Sequence, residues 1–64
     1  MTDDGWLIQV GRYKGAYKTR WTFLNNNETQ AALYYRGLNI GNGYKKRLIH
    51  IENDTRTVVA RMIS

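Results

Sequence analysis

The chain has 64 residues, ten Lys and Arg against five Asp and Glu for a formal charge of +5, and no cysteine. That length allows one domain, 1–64, burying only about 60% of the surface its unfolded form exposes; without cysteine, neither a disulfide framework nor a thiolate metal site can staple it. The 42% hydrophobic content, with two Trp, five Tyr and one Phe, separates it from disordered tails, and nowhere do the roughly 18 apolar residues of a membrane helix run together. The excess of positive charge favours an anionic partner. The start, MTDDGW, is acidic where a secretory signal is basic and then apolar. A cytoplasmic protein without membrane contact is therefore expected, with residues 1–5 fraying.

Trp6 to Tyr13, WLIQVGRY, alternates apolar and polar residues, and so does Tyr17 to Leu24, YKTRWTFL. This is the pattern of a β-hairpin. With Lys14 and Gly15 as a two-residue turn, Arg12 pairs with Tyr17, Val10 with Thr19, Ile8 with Trp21 and Trp6 with Phe23. Trp6, Ile8, Val10, Trp21 and Phe23 then share one face, and Gln9, Lys18, Arg20 and Thr22 the other. A one-residue slip would mix them.

NNNETQ reads as a helix start, with Asn27 as N-cap, Gln30 reaching back in a capping-box variant and Glu28 suiting the helix dipole. Ala31, Tyr34 or Tyr35, and Leu38 supply an apolar stripe. The helix is expected from about Glu28 to Asn39, with Gly41 and Gly43 as its stop. Gly37 weakens it by roughly 1 kcal/mol relative to Ala, so either a close neighbour needs the bare position or the helix frays there.

YKKRLIHIE and RTVVARMI, separated by NDT, form a second hairpin signal. A turn at Asn53 and Asp54 pairs Ile49 with Val58, Ile51 with Arg56 and Arg47 with Ala60. A three-residue loop instead pairs Leu48 with Ala60 and His50 with Val58. The whole reads β-β-α-β-β: an α+β domain in which two β-hairpins flank one helix packed on one face of a small antiparallel sheet.

His50 is the single histidine, and the carboxylates Asp3, Asp4, Glu28, Glu52 and Asp54 are scattered. Acid–base catalysis needs two titrating groups in one pocket, and a nucleophile needs an adjacent base. Neither pairing is visible; His50, two residues from Glu52 on a strand face, reads as a half-exposed strand histidine. One histidine with dispersed carboxylates is no ligand set. The expectation is a non-enzymatic protein with no cofactor and no metal.

The basic residues carry the remaining signal. In GNGYKKR the glycines follow a helix and precede a strand, the reverse of a nucleotide-binding loop, so they read as a helix stop and a turn with positive φ at Gly41 or Gly43. On a strand, Lys46 shares a face with Leu48 and His50, and Lys45 and Arg47 share one with Ile49 and Ile51. Lys45 or Arg47 must then leave the core side by lying at the sheet's end or by snorkelling. That conflict marks a functional position or a lysine-guarded edge strand. In the first hairpin Lys18 and Arg20 add cations, and Tyr13, Lys14 and Tyr17 crowd the turn. Rings among cations suit single-stranded nucleic acid; they equally describe a solvated strand face with tyrosines at the rim of a small core.

Gln30 to Ile49, QAALYYRGLNIGNGYKKRLI, resembles small accessory proteins, of unassigned role, from tailed phages, especially those infecting cyanobacteria, in which a helix ending in a Tyr-rich turn leads into GYKKRL. The resemblance covers the second half of the chain. It implies a protein that acts in the host cytoplasm by binding a host macromolecule, and it brings no catalytic residue.

The expected function is a small basic binding module for nucleic acid, RNA or DNA. Lys14, Lys18, Arg20, Lys45, Lys46 and Arg47 would meet phosphates, and Tyr13, Tyr17 and Tyr44 would stack on bases. One alternative docks an acidic host protein through Tyr34, Tyr35, Arg36 and the GNGYKKR loop, since Tyr and Arg are enriched in interface hot spots. A second is a structural homodimer whose other subunit covers the aromatics.

Overall fold

The computed structural model describes residues 4–63. Its elements are β1 (Gly5–Arg12), β2 (Lys18–Leu24), a 3-10 turn (Asn25–Asn27), α1 (Glu28–Gly37), β3 (Tyr44–Glu52) and β4 (Thr55–Ile63). The class is α+β, with four antiparallel strands in one open sheet and one helix. The two hairpins do not stand apart on either side of a helix: β1 and β3 join them into one sheet of order β2-β1-β3-β4, with α1 in the β2–β3 connection. β1 and β3 pair from Gly5↔Ile51 to Arg12↔Tyr44. These two strands carry the consecutive buried residues Trp6, Leu7 and Ile8, and Leu48 and Ile49. A strand apolar on both faces belongs in the middle of a sheet. β2 and β4, mostly exposed along their lengths, take the edges.

One face of the sheet packs on α1 through Trp6, Ile8, Ala31, Tyr35 and Leu48, with Phe23, Leu38 and Ala60 against them. The opposite face buries Leu7, Ile49 and Ile51 without a helix over them. Gly5 is part of β1, and Asp4 Oδ1 accepts the Asn53 amide at 3.0 Å. The expected fraying therefore stops short of residues 4 and 5, while residues 1–3 lie outside those described.

A bulge interrupts each hairpin. In the first, Trp6↔Phe23 and Ile8↔Trp21 pair as expected, but Gln9 meets Thr19 and Val10 meets Lys18, leaving Arg20 as the extra residue. The shift moves Lys18 off the face of Gln9, and the connection runs from Tyr13 to Tyr17 instead of turning at Lys14 and Gly15. In the second, Ile51↔Arg56 and Ile49↔Val58 follow the tight-turn register, whereas Leu48↔Ala60 follows the other. Asn53 and Asp54 have φ of 52° and 65°, the left-handed pair of a type I′ hairpin turn, which Asn and Asp tolerate.

α1 ends at Gly37, short of Asn39. The Lys46 ammonium sits on the Tyr35 carbonyl, the acceptor that the amide of residue 39 would use in another turn. A Cβ on Gly37 would meet nothing within 4 Å, so no neighbour requires that glycine. The Asn27 side chain makes no capping bond. The 3-10 turn leads the chain in instead, fastened by Asn25, whose carbonyl accepts Trp6 Nε1 at 3.2 Å and whose Oδ1 lies 3.0 Å from His50 Nε2.

Candidate nucleic-acid interface

The basic run on β3 splits by strand alternation, but not as patterning suggested. The helix-covered face is that of Lys46, Leu48 and His50, so Lys46 is the lysine that enters the core, 3% exposed. Its Nζ donates to the carbonyls of Tyr35 at 2.6 Å and Leu38 at 2.8 Å and lies 4.5 Å from the centre of the Tyr35 ring. It adds a second donor to the Tyr35 carbonyl, which also accepts the Leu38 amide, and a donor to the C-cap Leu38 carbonyl, at a helix end where a cation also suits the dipole. Burial lowers its pKa. Lys46 is thus withdrawn from the phosphate-contacting set. The lysine-guard reading of this segment also fails, because β3 is paired on both sides.

Lys45 and Arg47 project from the other face, which no helix covers, and so need no escape route. Tyr17, half-buried, lies beneath both: the Arg47 guanidinium carbon is 3.8 Å and Lys45 Nζ 4.5 Å from its ring centre. Arg47 Nε donates to Gln9 Oε1 at 2.6 Å, and Gln9 Nε2 donates to Thr19 Oγ1 at 3.0 Å. The bulge at Arg20 makes this chain of bonds possible, since it places Thr19 opposite Gln9. Arg61 of β4 faces Arg47 directly. Sequence reasoning missed Arg61 because it set Ala60 opposite Arg47; the signal was the alternative register, carried one residue further.

On the helix side of the same end of the sheet, Val10, Arg12, Lys18, Arg20 and Tyr44 line a groove of about 370 Å³. Tyr13 and Lys14 are exposed in the loop beside it. The glycine stretch turns the chain: Gly43 has φ of 84°, Tyr44 N donates to Gly41 O at 3.2 Å, and Gly43 O accepts Tyr13 N at 2.7 Å. The Tyr44 ring packs beside Gly41, 3.6 Å from where a Cβ would stand. The expected cations and rings therefore gather at one end of the sheet, in two sets on opposite faces.

Charge is divided along the strands. The described carboxylates Asp4, Glu28, Glu52 and Asp54 lie where β1 begins, β2 gives way to the helix and β3 turns into β4. Arg12, Lys14, Lys18, Lys45, Arg47 and Arg61 lie at the other end, with Arg20 just inside it; Arg56, opposite Ile51, is the strand cation that stays at the carboxylate end. Among the described residues the sole pairing of a basic group with a carboxylate within 4.0 Å is His50 Nδ1 with Glu52 Oε2, so no described Lys or Arg is neutralised by a described carboxylate.

His50 stacks on Trp6 with ring centres 4.2 Å apart. Among the described residues no three His, Cys, Asp or Glu side chains gather as a metal site, and no helix is long and apolar enough to cross a membrane. Of the residues for protein docking, Tyr34 and Arg36 are exposed, but Tyr35 is core, 7% exposed, with its hydroxyl buried and unpartnered. No family model, curated protein or solved structure matches the chain.

Proposed function

We propose that the chain is a non-enzymatic nucleic-acid-binding module, acting in the cytoplasm, that meets the phosphate backbone with its cationic end. The observation that carries the reading is the bias of charge along the sheet: exposed and half-buried cations without described carboxylate partners gather around Tyr13, Tyr17 and Tyr44, while the described carboxylates lie at the opposite end with Arg56 as the one strand cation there. Such a field orients the molecule as it approaches a polyanion. The test is a fluorescence titration with a short single strand and with a duplex across a salt series. Affinity falling steeply with salt is expected, because each neutralised phosphate releases counterions; no binding at low salt would remove nucleic acid as the partner.

One observation favours a second reading. Trp21, Leu33, Tyr34 and Leu38 line an exposed groove between α1 and β2, which suits a protein partner better than a phosphate chain. A defined partner that survives nuclease treatment and is lost on Tyr34→Ala would support it.

A further inference from the structure

Arg47 and Arg61 stand directly opposite one another on β3 and β4, which places their Cβ atoms about 5 Å apart on one face of the sheet. Like charges in that position repel and weaken the sheet. No described carboxylate lies within 4.0 Å of either, so neither charge is neutralised by a described ion pair.

Arg47 is also held in place. Its Nε is bonded to Gln9, its guanidinium carbon lies over the Tyr17 ring, and Gln9, 6% exposed, is fixed in turn by Thr19. The terminal nitrogens of Arg47 have no acceptor among the described residues. A guanidinium anchored at Nε presents its remaining donors as a fork, and such a fork matches two oxygens of a phosphate. Lys45, on the same ring, adds a third cation.

We infer that Arg47, Arg61 and Lys45 hold one backbone phosphodiester on the open face of the sheet, with Gln9 as the positioning residue for Arg47. The inference rests on the nucleic-acid reading above and narrows it. Contact through phosphate carries no base information, so this face binds different sequences alike.

The experiment measures binding of the 64-residue protein to a homopolymeric and a mixed-sequence DNA strand between about 50 and 200 mM salt, alongside thermal melting. Arg61→Gln should melt no lower than wild type, because Arg61 is exposed and makes no hydrogen bond or ion pair with a described side chain. It should nevertheless bind both strands more weakly at about 50 mM, with a salt slope shallower by less than about 0.7, the full share of one phosphate on a single strand, because Arg47 and Lys45 still face the same phosphate. Arg47→Lys should keep the slope and lose affinity, since the charge stays and the fork goes. Gln9→Met should do the same without altering any charge. If Arg61→Gln binds with unchanged affinity and slope while wild type binds, the inference falls and the module reading stands. A tenfold or larger preference of wild type for one strand overturns the backbone-only assignment. If wild type binds neither strand at low salt, the module reading falls and takes the inference with it.

Discussion

Lys45 and Lys46 are neighbours in sequence, and the fold gives them opposite surroundings. Lys46 lies under the C-terminal end of α1 with its ammonium on two main-chain carbonyls. Lys45 lies on the uncovered face with Arg47, above Tyr17. A run of like charges is therefore not a patch on a strand: alternation deals its members to two faces, and what covers each face decides whether a cation supports the fold or meets a partner. The helix makes the difference, because the carbonyls of Tyr35 and Leu38 at its C-terminal end are what receive the buried ammonium.

The most forceful way to break this comparison is Lys46→Met. Losing two charge-assisted hydrogen bonds to main-chain carbonyls at the helix end should cost about 3 kcal/mol in urea unfolding, with the oligonucleotide affinity of the folded protein unchanged. An affinity loss as large as that of Lys45→Gln would show that the two lysines do not differ as described.

Next in size is Tyr35→Phe, on the helix side of the same contact. Its hydroxyl is buried without a partner, so removing it should raise stability at neutral pH by about 1 kcal/mol. The pH dependence sharpens the test. Burial, then the nearby Tyr17 phenol, raises the Tyr35 pKa above 10.0, and burial lowers that of Lys46 below 10.5. A phenol that holds its proton more tightly when folded contributes stability that is complete below pH 10 and lost as the pH climbs above it. The Lys46 burial penalty runs the other way, easing as the pH rises toward 10.5. Removing the phenol should therefore reduce the alkaline loss of stability above pH 10, read from urea midpoints in a pH series.

Gly37→Ala should stabilise the last turn of α1 by up to about 1 kcal/mol, since nothing stands where the methyl would go; a lower melting temperature would mean that the helix end needs the glycine. The smallest expected effect on stability is that of Lys45→Gln, within about 0.5 kcal/mol of wild type, although it should weaken oligonucleotide binding. Together with Lys46→Met it measures the two faces separately.

Trp6, Ile8, Trp21 and Phe23 were legible as one face because their alternation and cross-strand pairing agree. Lys18 was not, because a bulge adds one residue at Arg20 and reverses every assignment nearer the turn. The capping role of Asn27 was misjudged for a similar reason: a 3-10 turn and the bonds of Asn25 to Trp6 and His50 set the helix start in place of a local cap. In the candidate interface, Tyr17, Lys45 and Arg47 were chosen by residue type alone, and nothing local to them signalled that they would meet. Gln9 and Arg61 were passed over because their roles depend on pairings with strands far away in the chain.

The sequence by itself determined the order of elements, the pairing of the first hairpin away from its turn, and a second turn within Asn53 to Thr55. Each is encoded by alternation or backbone preference within a short stretch. Only the tertiary structure decided that β1 and β3 pair in the middle of the sheet, that Lys46 is buried, and that Arg47 faces Arg61 over an uncovered surface. Those outcomes follow from which apolar strand finds which, where a bulge slips the register, and where the helix comes to rest.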